Sequence, residues 1–345
     1  KLNFSKWSIA LAVFSTYAVL SYLINYPGEP LALTNIIKLV INFFFLFFAI
    51  NWLGSRDNES LITKLDAVLF TVLTLSLIQL FIYHQAYDFT LITGSDSSGQ
   101  ASSLYRDSLY YWGLDDKNMF GARIALMGFS FICIPLLLKN KLSIWRIVFV
   151  FLIAFLSLSR TPIVALLLGV FFLIWISVEK KWKIGLLVLV AIALPFILQK
   201  VIRVDSLTSS NDGMGIRLVY WKAFFKHFDA ISPLGNGFLS APEFLGNYAD
   251  FYREEPHIHN TFLTTYLELG IVGFFSFLAF LVWFIKECWR KAYNSKLWIA
   301  LFIPILSIMM ILYSGYDNDV VMYLCLIYLI GSLREISFQN IKLSL

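Results

Sequence analysis

Ten stretches of this chain are apolar for roughly the thickness of a bilayer: residues 7–25, 34–53, 63–84, 119–138, 142–158, 161–178, 184–200, 261–285, 297–313 and 320–334. A hydrocarbon core of about 30 Å is crossed by about 20 helical residues, and windows of about 17–25 qualify. No water is present there to satisfy backbone N–H and C=O groups, so each window must close its own hydrogen bonds as a helix. The expected fold class is an all-α polytopic membrane protein of about ten transmembrane helices. Composition agrees: 59% of residues are hydrophobic and 14% charged, where soluble domains carry about a quarter charged. The first residue is Lys and the first apolar run is too long for a signal-peptide core, so 7–25 reads as a true span. Cys133, Cys288 and Cys325 lie in or beside apolar runs and imply no disulfide framework.

Lysine and arginine fix the expected orientation, because they concentrate on short cytoplasmic connections. With the N-terminus inside, the inner segments carry Lys1, Lys6, Arg56, Lys64, Lys139, Lys141, Arg146, Lys180, Lys181, Lys183, Lys286, Arg290, Lys291, Lys296, Arg334 and Lys342. The outer ones carry Asp88, Asp96, Asp107, Asp115, Asp116, Glu254, Glu255, Asp317 and Asp319. Both termini are thus expected in the cytoplasm. The net charge of +5 follows this topology and indicates no nucleic-acid partner.

The linear organisation is then a first helix set over 1–200, an extracytoplasmic loop over 201–260 and a last helix set over 261–345. An outer loop at 85–117, with a Gly-Ser-Asp-Ser-Ser run, has the composition of a flexible linker or lid. In the larger loop, Ile216, Tyr220, Ala223, Phe224 and His227 recur at helical spacing while Arg217, Lys222, Lys226 and Asp229 punctuate the rest. That pattern predicts an amphipathic helix lying on the membrane–water interface. Ser232-Pro233 and Gly235-Asn236-Gly237 end it.

Several residues could carry chemistry. Arg160 ends an apolar hairpin, where it either meets an anion or snorkels to the interface. Arg217, beside Gly213 and Gly215, is a second cation suited to phosphate oxygens, or else a solvated helix charge. His257 and His259 flank Ile258 directly before Asn260, an expected helix cap. Two histidines at this spacing, without a matched carboxylate or Cys pattern, are weak zinc ligands, whereas one imidazole at a membrane mouth can accept a proton from a hydroxyl. Glu268, an intramembrane carboxylate, is a functional candidate or a structural hydrogen-bond partner. Gly270 and Gly273 are read as permitting close helix packing. The Asp317-Asn318-Asp319 connection is read as a solvated turn or a hard-cation ligand set.

In their order along the chain, these pieces resemble the O-antigen ligase/O-antigen polymerase superfamily, bacterial enzymes that handle undecaprenyl-diphosphate-linked glycans. The resemblance lies in Ser157-Leu158-Ser159-Arg160-Thr161, in Gly215-Ile216-Arg217-Leu218 with Trp221 and Pro233-Leu234-Gly235-Asn236-Gly237, and in His259-Asn260 followed after nine residues by Gly270-Ile271-Val272-Gly273. Asp116-Lys117-Asn118 resembles a weaker asparagine motif of the family. It implies that Arg160 and Arg217 bind the donor diphosphate and that His259 activates the acceptor hydroxyl. Asn118, Trp221, His257, Asn260 and Glu268 stand as supporting candidates. No cofactor or metal is expected, since fixed guanidinium groups can stabilise the leaving diphosphate. The implied enzyme is an inverting, metal-independent glycosyltransferase of the bacterial inner membrane, acting on its periplasmic side. Family ligases commonly have about twelve spans, and ten leans the reading towards a polysaccharide polymerase, with a ligase acting on lipid A–core as the alternative. Membrane lipid and a chain-length regulator protein are the other implied partners. A lipid-linked sugar flippase is the rival of another class, opposed by the absence of detected inverted repeats.

Overall fold

Each apolar window holds a helix among the described residues, the conformation in which a segment satisfies its own backbone N–H and C=O groups. The computed structural model describes residues 2–25, 30–54, 59–93, 117–139, 141–196, 199, 213–291, 295–312, 317–331 and 342–344. In chain order the helices are α1 (Lys6–Ile24), α2 (Pro30–Leu53), α3 (Glu59–Ala86), the single turn α4 (Thr90–Thr93), α5 (Lys117–Lys139), α6 (Ile144–Leu156), α7 (Arg160–Ser177) and α8 (Lys180–Phe196), then α9 (Gly213–Lys226), α10 (Ala241–Tyr248), α11 (Thr261–Lys291), α12 (Ser295–Met309) and α13 (Asn318–Gly331). Among the described residues, six of them (α1, α2, α3, α5, α7 and α11) are long and apolar enough to cross a membrane. Helices α6, α8, α12 and α13 have 13, 17, 15 and 14 residues. Most of the outer loop at 85–117, including Asp96, Asp107, Asp115 and Asp116, lies outside the described residues, as does 201–212. One addition to the helical expectation is a parallel strand pair, β1 (Lys141–Ser143) with β2 (Lys342–Ser344), in which Leu142 faces Leu343.

The chain forms two compact units that interleave in sequence. The first comprises Lys1–Arg56, Pro195–Lys291 and Met309–Tyr328. Its frame is α1 packed on α11: Trp7, Leu11, Phe14, Ala18 and Tyr22 recur at helical spacing and are buried. Phe14 meets Phe277 at 5.2 Å between ring centroids, and Trp7 meets Phe284 edge-on at 5.6 Å. The second unit comprises Asp57–Leu194, Ala292–Ile308 and Leu329–Leu345, with α5 buried at its centre against α3, α6 and α7. There Arg146 donates to Asp66 (Nη2–Oδ2 2.9 Å) and to the Phe131 carbonyl, and lies over the Phe131 ring at 4.0 Å. Pairing and ring contact hold this cation where lipid alone would make it costly.

Two expectations are corrected. Helix α9 forms where amphipathic spacing placed it, but its apolar side does not face lipid. Ile216, Tyr220 and Phe224 are buried with Ile231, Phe244, Leu245, Ile258 and Leu267 in a small core of the first unit. Protein covers this stripe because α10 and the chain after it fold back over it. Gly270, expected to favour close helix packing, instead breaks α11: its φ of 57° and ψ of −153° are not helical.

Candidate functional site

The break in α11 is made by the turn that follows α9. Asn236 N–H donates to the Leu267 carbonyl (2.9 Å), Gly237 N–H to the Glu268 carbonyl (3.1 Å), and Ile271 N–H to the Pro233 carbonyl (2.8 Å). The turn thus takes over backbone groups that the interrupted helix leaves open. Only glycine fits at the crossing. A Cβ on Gly235 would stand 2.3 Å from the Glu268 carbonyl oxygen, and one on Gly270 would stand 2.2 Å from that of Pro233. Both glycines also have positive φ. Glu268 is buried at this junction; the Leu239 backbone hydrogen-bonds its carboxyl, and its other oxygen has no partner among the described residues.

The histidine segment is positioned from α9. Trp221 donates its Nε1–H to the Ile258 carbonyl (3.2 Å), and the Ile258 side chain is fully buried in the core beneath α9. With Ile258 pinned inward, His257 and His259 flank it on the same stretch. Their ring centroids are 5.6 Å apart. His259 has φ 57°, a left-handed conformation that non-glycine residues adopt at a cost and that concentrates at functional sites. Asn260 caps α11 as expected: its Oδ1 accepts from Phe262 N–H (3.0 Å) and Leu263 N–H (3.1 Å), and its Nδ2 donates to the Met310 carbonyl (3.1 Å).

Around the imidazole stand groups that sequence reasoning did not select. His259 Nε2 lies 2.9 Å from Glu255 Oε2. The Tyr220 ring lies parallel to the imidazole at 6.3 Å between centroids. Its hydroxyl accepts from Arg253 N–H (3.1 Å) and hydrogen-bonds Glu255. Burial pushes the Tyr220 phenol up. Burial also acts to raise Glu255, but hydrogen bonds from His259 and Tyr220, with the electrostatic attraction of His259 and Arg253, outweigh it and leave the carboxyl below its usual range. His257 is pushed down, first by burial and next by the neighbouring His259, against the opposing pull of Asp317 and Glu255.

Asp317 and Asp319 are buried, so the solvated-turn reading is overturned. Lys38 of α2 donates to Asp317 (3.1 Å), and Asn42, one turn further, donates to Asn318 (2.9 Å). Burial and these partners, absent from the local sequence pattern, make the difference. Lys38 had a legible signal, being an isolated cation inside an apolar window. Glu255 had only its place four residues before His259.

Arg217 is buried on α9, which removes its reading as a solvated helix charge. Arg160 and Asn118 belong to the second unit. There Ser159 donates its hydroxyl to Asn118 Oδ1 (2.9 Å). The turn between α6 and α7 holds Leu158 at φ 57°. Gly121 lets α5 approach it, since a Cβ there would stand 2.8 Å from Pro162. So the structure brings Arg217, Trp221, His257, His259, Asn260 and Glu268 into one unit, and Arg160 with Asn118 into the other. Among the described residues no group of three or more His, Cys, Asp or Glu side chains converges as metal ligands.

Residues 145–278 match the model of a protein family described as O-antigen ligase. The match runs from α6 into α11 and contains Arg160, Arg217, Trp221, His257, His259, Asn260 and Glu268, while Asn118, Asp317 and Asp319 lie outside it. Among curated proteins none matches the chain.

Proposed function

We propose, from the match of residues 145–278 to the O-antigen ligase family model, that this membrane glycan-handling enzyme of the ligase/polymerase class carries out a specific reaction. The enzyme transfers a glycan from undecaprenyl diphosphate to an acceptor hydroxyl on the outer face of the bacterial inner membrane. His259 removes the proton of that hydroxyl as its oxygen bonds to the anomeric carbon. The bond from that carbon to the phosphate oxygen breaks, its electron pair leaves with the diphosphate, and Arg160 and Arg217 stabilise the charge. Attack opposite the leaving group inverts the anomeric centre, and no metal is required.

The observation that carries this reading is His259 itself: an imidazole in a left-handed turn at the mouth of α11, hydrogen-bonded to a carboxylate. A polar constellation of this kind has no packing reason to exist beside an apolar span. We assign the acceptor as a second lipid-linked repeat, which makes the enzyme a polymerase. The family description favours the second reading, a ligase that moves the glycan to lipid A–core. Incubation of the purified protein with lipid-linked repeat, with and without core lipid, separates them. A ladder formed without core lipid is the expected result; product only with core lipid establishes the ligase, and neither product overturns both.

A further inference from the structure

The atom of His259 that takes the proton follows from its neighbours. Glu255 Oε2 lies 2.9 Å from His259 Nε2. Held below its usual range by its hydrogen bonds and by the electrostatic attraction of His259 and Arg253, Glu255 is a carboxylate and can only accept, so Nε2 must be the donor. The neutral imidazole is then protonated on Nε2 and bears its lone pair on Nδ1. That nitrogen has no hydrogen-bond partner among the described residues and is shielded from solvent, an unsatisfied state that an entering hydroxyl would relieve. Tyr220 fixes the other end of the pair, holding Glu255 by its hydroxyl while its ring lies parallel to the imidazole.

Resting on the reading of His259 as the base, we infer that Glu255 is a positioning residue that commits His259 to the Nε2–H form and makes Nδ1 the proton-accepting atom, with Tyr220 orienting the carboxylate. In the transfer step the acceptor O–H bond breaks towards Nδ1. The resulting imidazolium is matched by Glu255 across the Nε2–H bond, and the proton later leaves from Nδ1. The charged or titratable groups acting on the pair are His257 and Arg253 on the same segment and Tyr220 on α9; Asp317 before α13 and Lys38 on α2 act on the neighbouring His257. Neither Asp317 nor Lys38 hydrogen-bonds His259, so the carboxylate contact falls to Glu255 among the described residues.

The test uses the full chain in nanodiscs with nitrogen-15-labelled histidine, the His259 resonances assigned by their loss in His259→Ala. In the wild type at neutral pH, Nε2 should carry the proton and Nδ1 should not; an Nδ1–H form overturns the inference. Turnover is then measured with undecaprenyl-diphosphate-linked oligosaccharide extracted from the source cells. Glu255→Gln keeps the shape and removes the charge, and should lower kcat about a hundredfold or more with donor KM within about twofold. Without the carboxylate the imidazolium is less stable, so the acid limb of the kcat profile should move to lower pH. Glu255→Asp should restore part of the rate. A Glu255→Gln enzyme within about threefold of wild type, with an unmoved acid limb, overturns the inference. Should that variant fail to fold, Tyr220→Phe, which keeps the ring and removes the hydroxyl, must show the same direction of kcat and acid limb, and an unchanged profile there also overturns it. Turnover retained in His259→Ala would instead remove the base reading itself, and the catalytic sense of the pair with it.

Discussion

Two histidines separated by one residue differ in their surroundings: His259 is hydrogen-bonded to the Glu255 carboxyl, and His257 meets the His259 ring edge-on. His259→Ala should lower turnover by about a hundred to ten thousandfold while donor binding is nearly unchanged, as expected for loss of a general base. His257→Ala should be milder; the reverse order of severity, measured as single turnover in detergent, would move the base two residues upstream. His257 also sets a pH dependence of stability. Burial and the adjacent His259 push it down to about 4, so between about 4 and about 6.5 the unfolded chain binds more protons than the folded one. Stability should therefore fall as pH is lowered through that window, and the unfolding temperature of His257→Gln should depend less on pH there. Glu255, whose carboxyl is depressed, adds its own loss only further down, below about 4.3. The arginines are tested by shape rather than charge. Arg160→Lys and Arg217→Lys keep the cation and lose the planar fork that grips two phosphate oxygens. Donor affinity should drop about tenfold or more in each, and unchanged affinity in both returns them to structural roles.

At the scale of elements, the junction between the turn after α9 and the broken α11 positions the site. Gly270→Ala should be strongly destabilising, on the order of 3 kcal/mol or more, since it adds a backbone clash at 2.2 Å to a conformation L-residues avoid. The expected readout is a lowered unfolding temperature together with lost turnover, because the same junction leads from the core under α9 to the cap of α11. Normal stability in Gly270→Ala would show that the crossing is not tight. Trp221 offers a smaller test. Trp221→Phe keeps a ring against the core and deletes the Nε1–H bond to Ile258; about 1 kcal/mol should be lost, and turnover should fall more than stability if the histidine segment is being positioned.

For the whole molecule, the charge asymmetry of the connections makes a topological prediction. Cysteine placed at Lys222, an exposed position, should react with a membrane-impermeant thiol reagent in intact spheroplasts, whereas one near either terminus should react only after permeabilisation. Strong chelation should leave turnover intact; loss restored by a defined metal would overturn the assignment of the diphosphate to arginines. The helical class of the molecule was written in its sequence, because an uninterrupted apolar window of bilayer length permits one backbone conformation. So were Asn260 as a cap and the breaks around Pro233 to Gly237, since capping and turn chemistry act over a few residues. His259 could be singled out only by its place in an ordered motif. What the linear pattern could not decide was who stands next to whom. It read the apolar stripe of α9 as a membrane face, when Ile258, Phe244 and Leu267 cover it. It read Asp317 as solvated, when Lys38 from a helix 279 residues away in sequence meets it. It read Gly270 as a helix contact, when a turn 35 residues earlier passes through the gap. Glu255 and Tyr220 acquire their meaning only where the chain folds back on α9. Local periodicity and lipid fix elements; contacts between distant segments, which alone decide burial, pairing and tautomer, come from the tertiary structure.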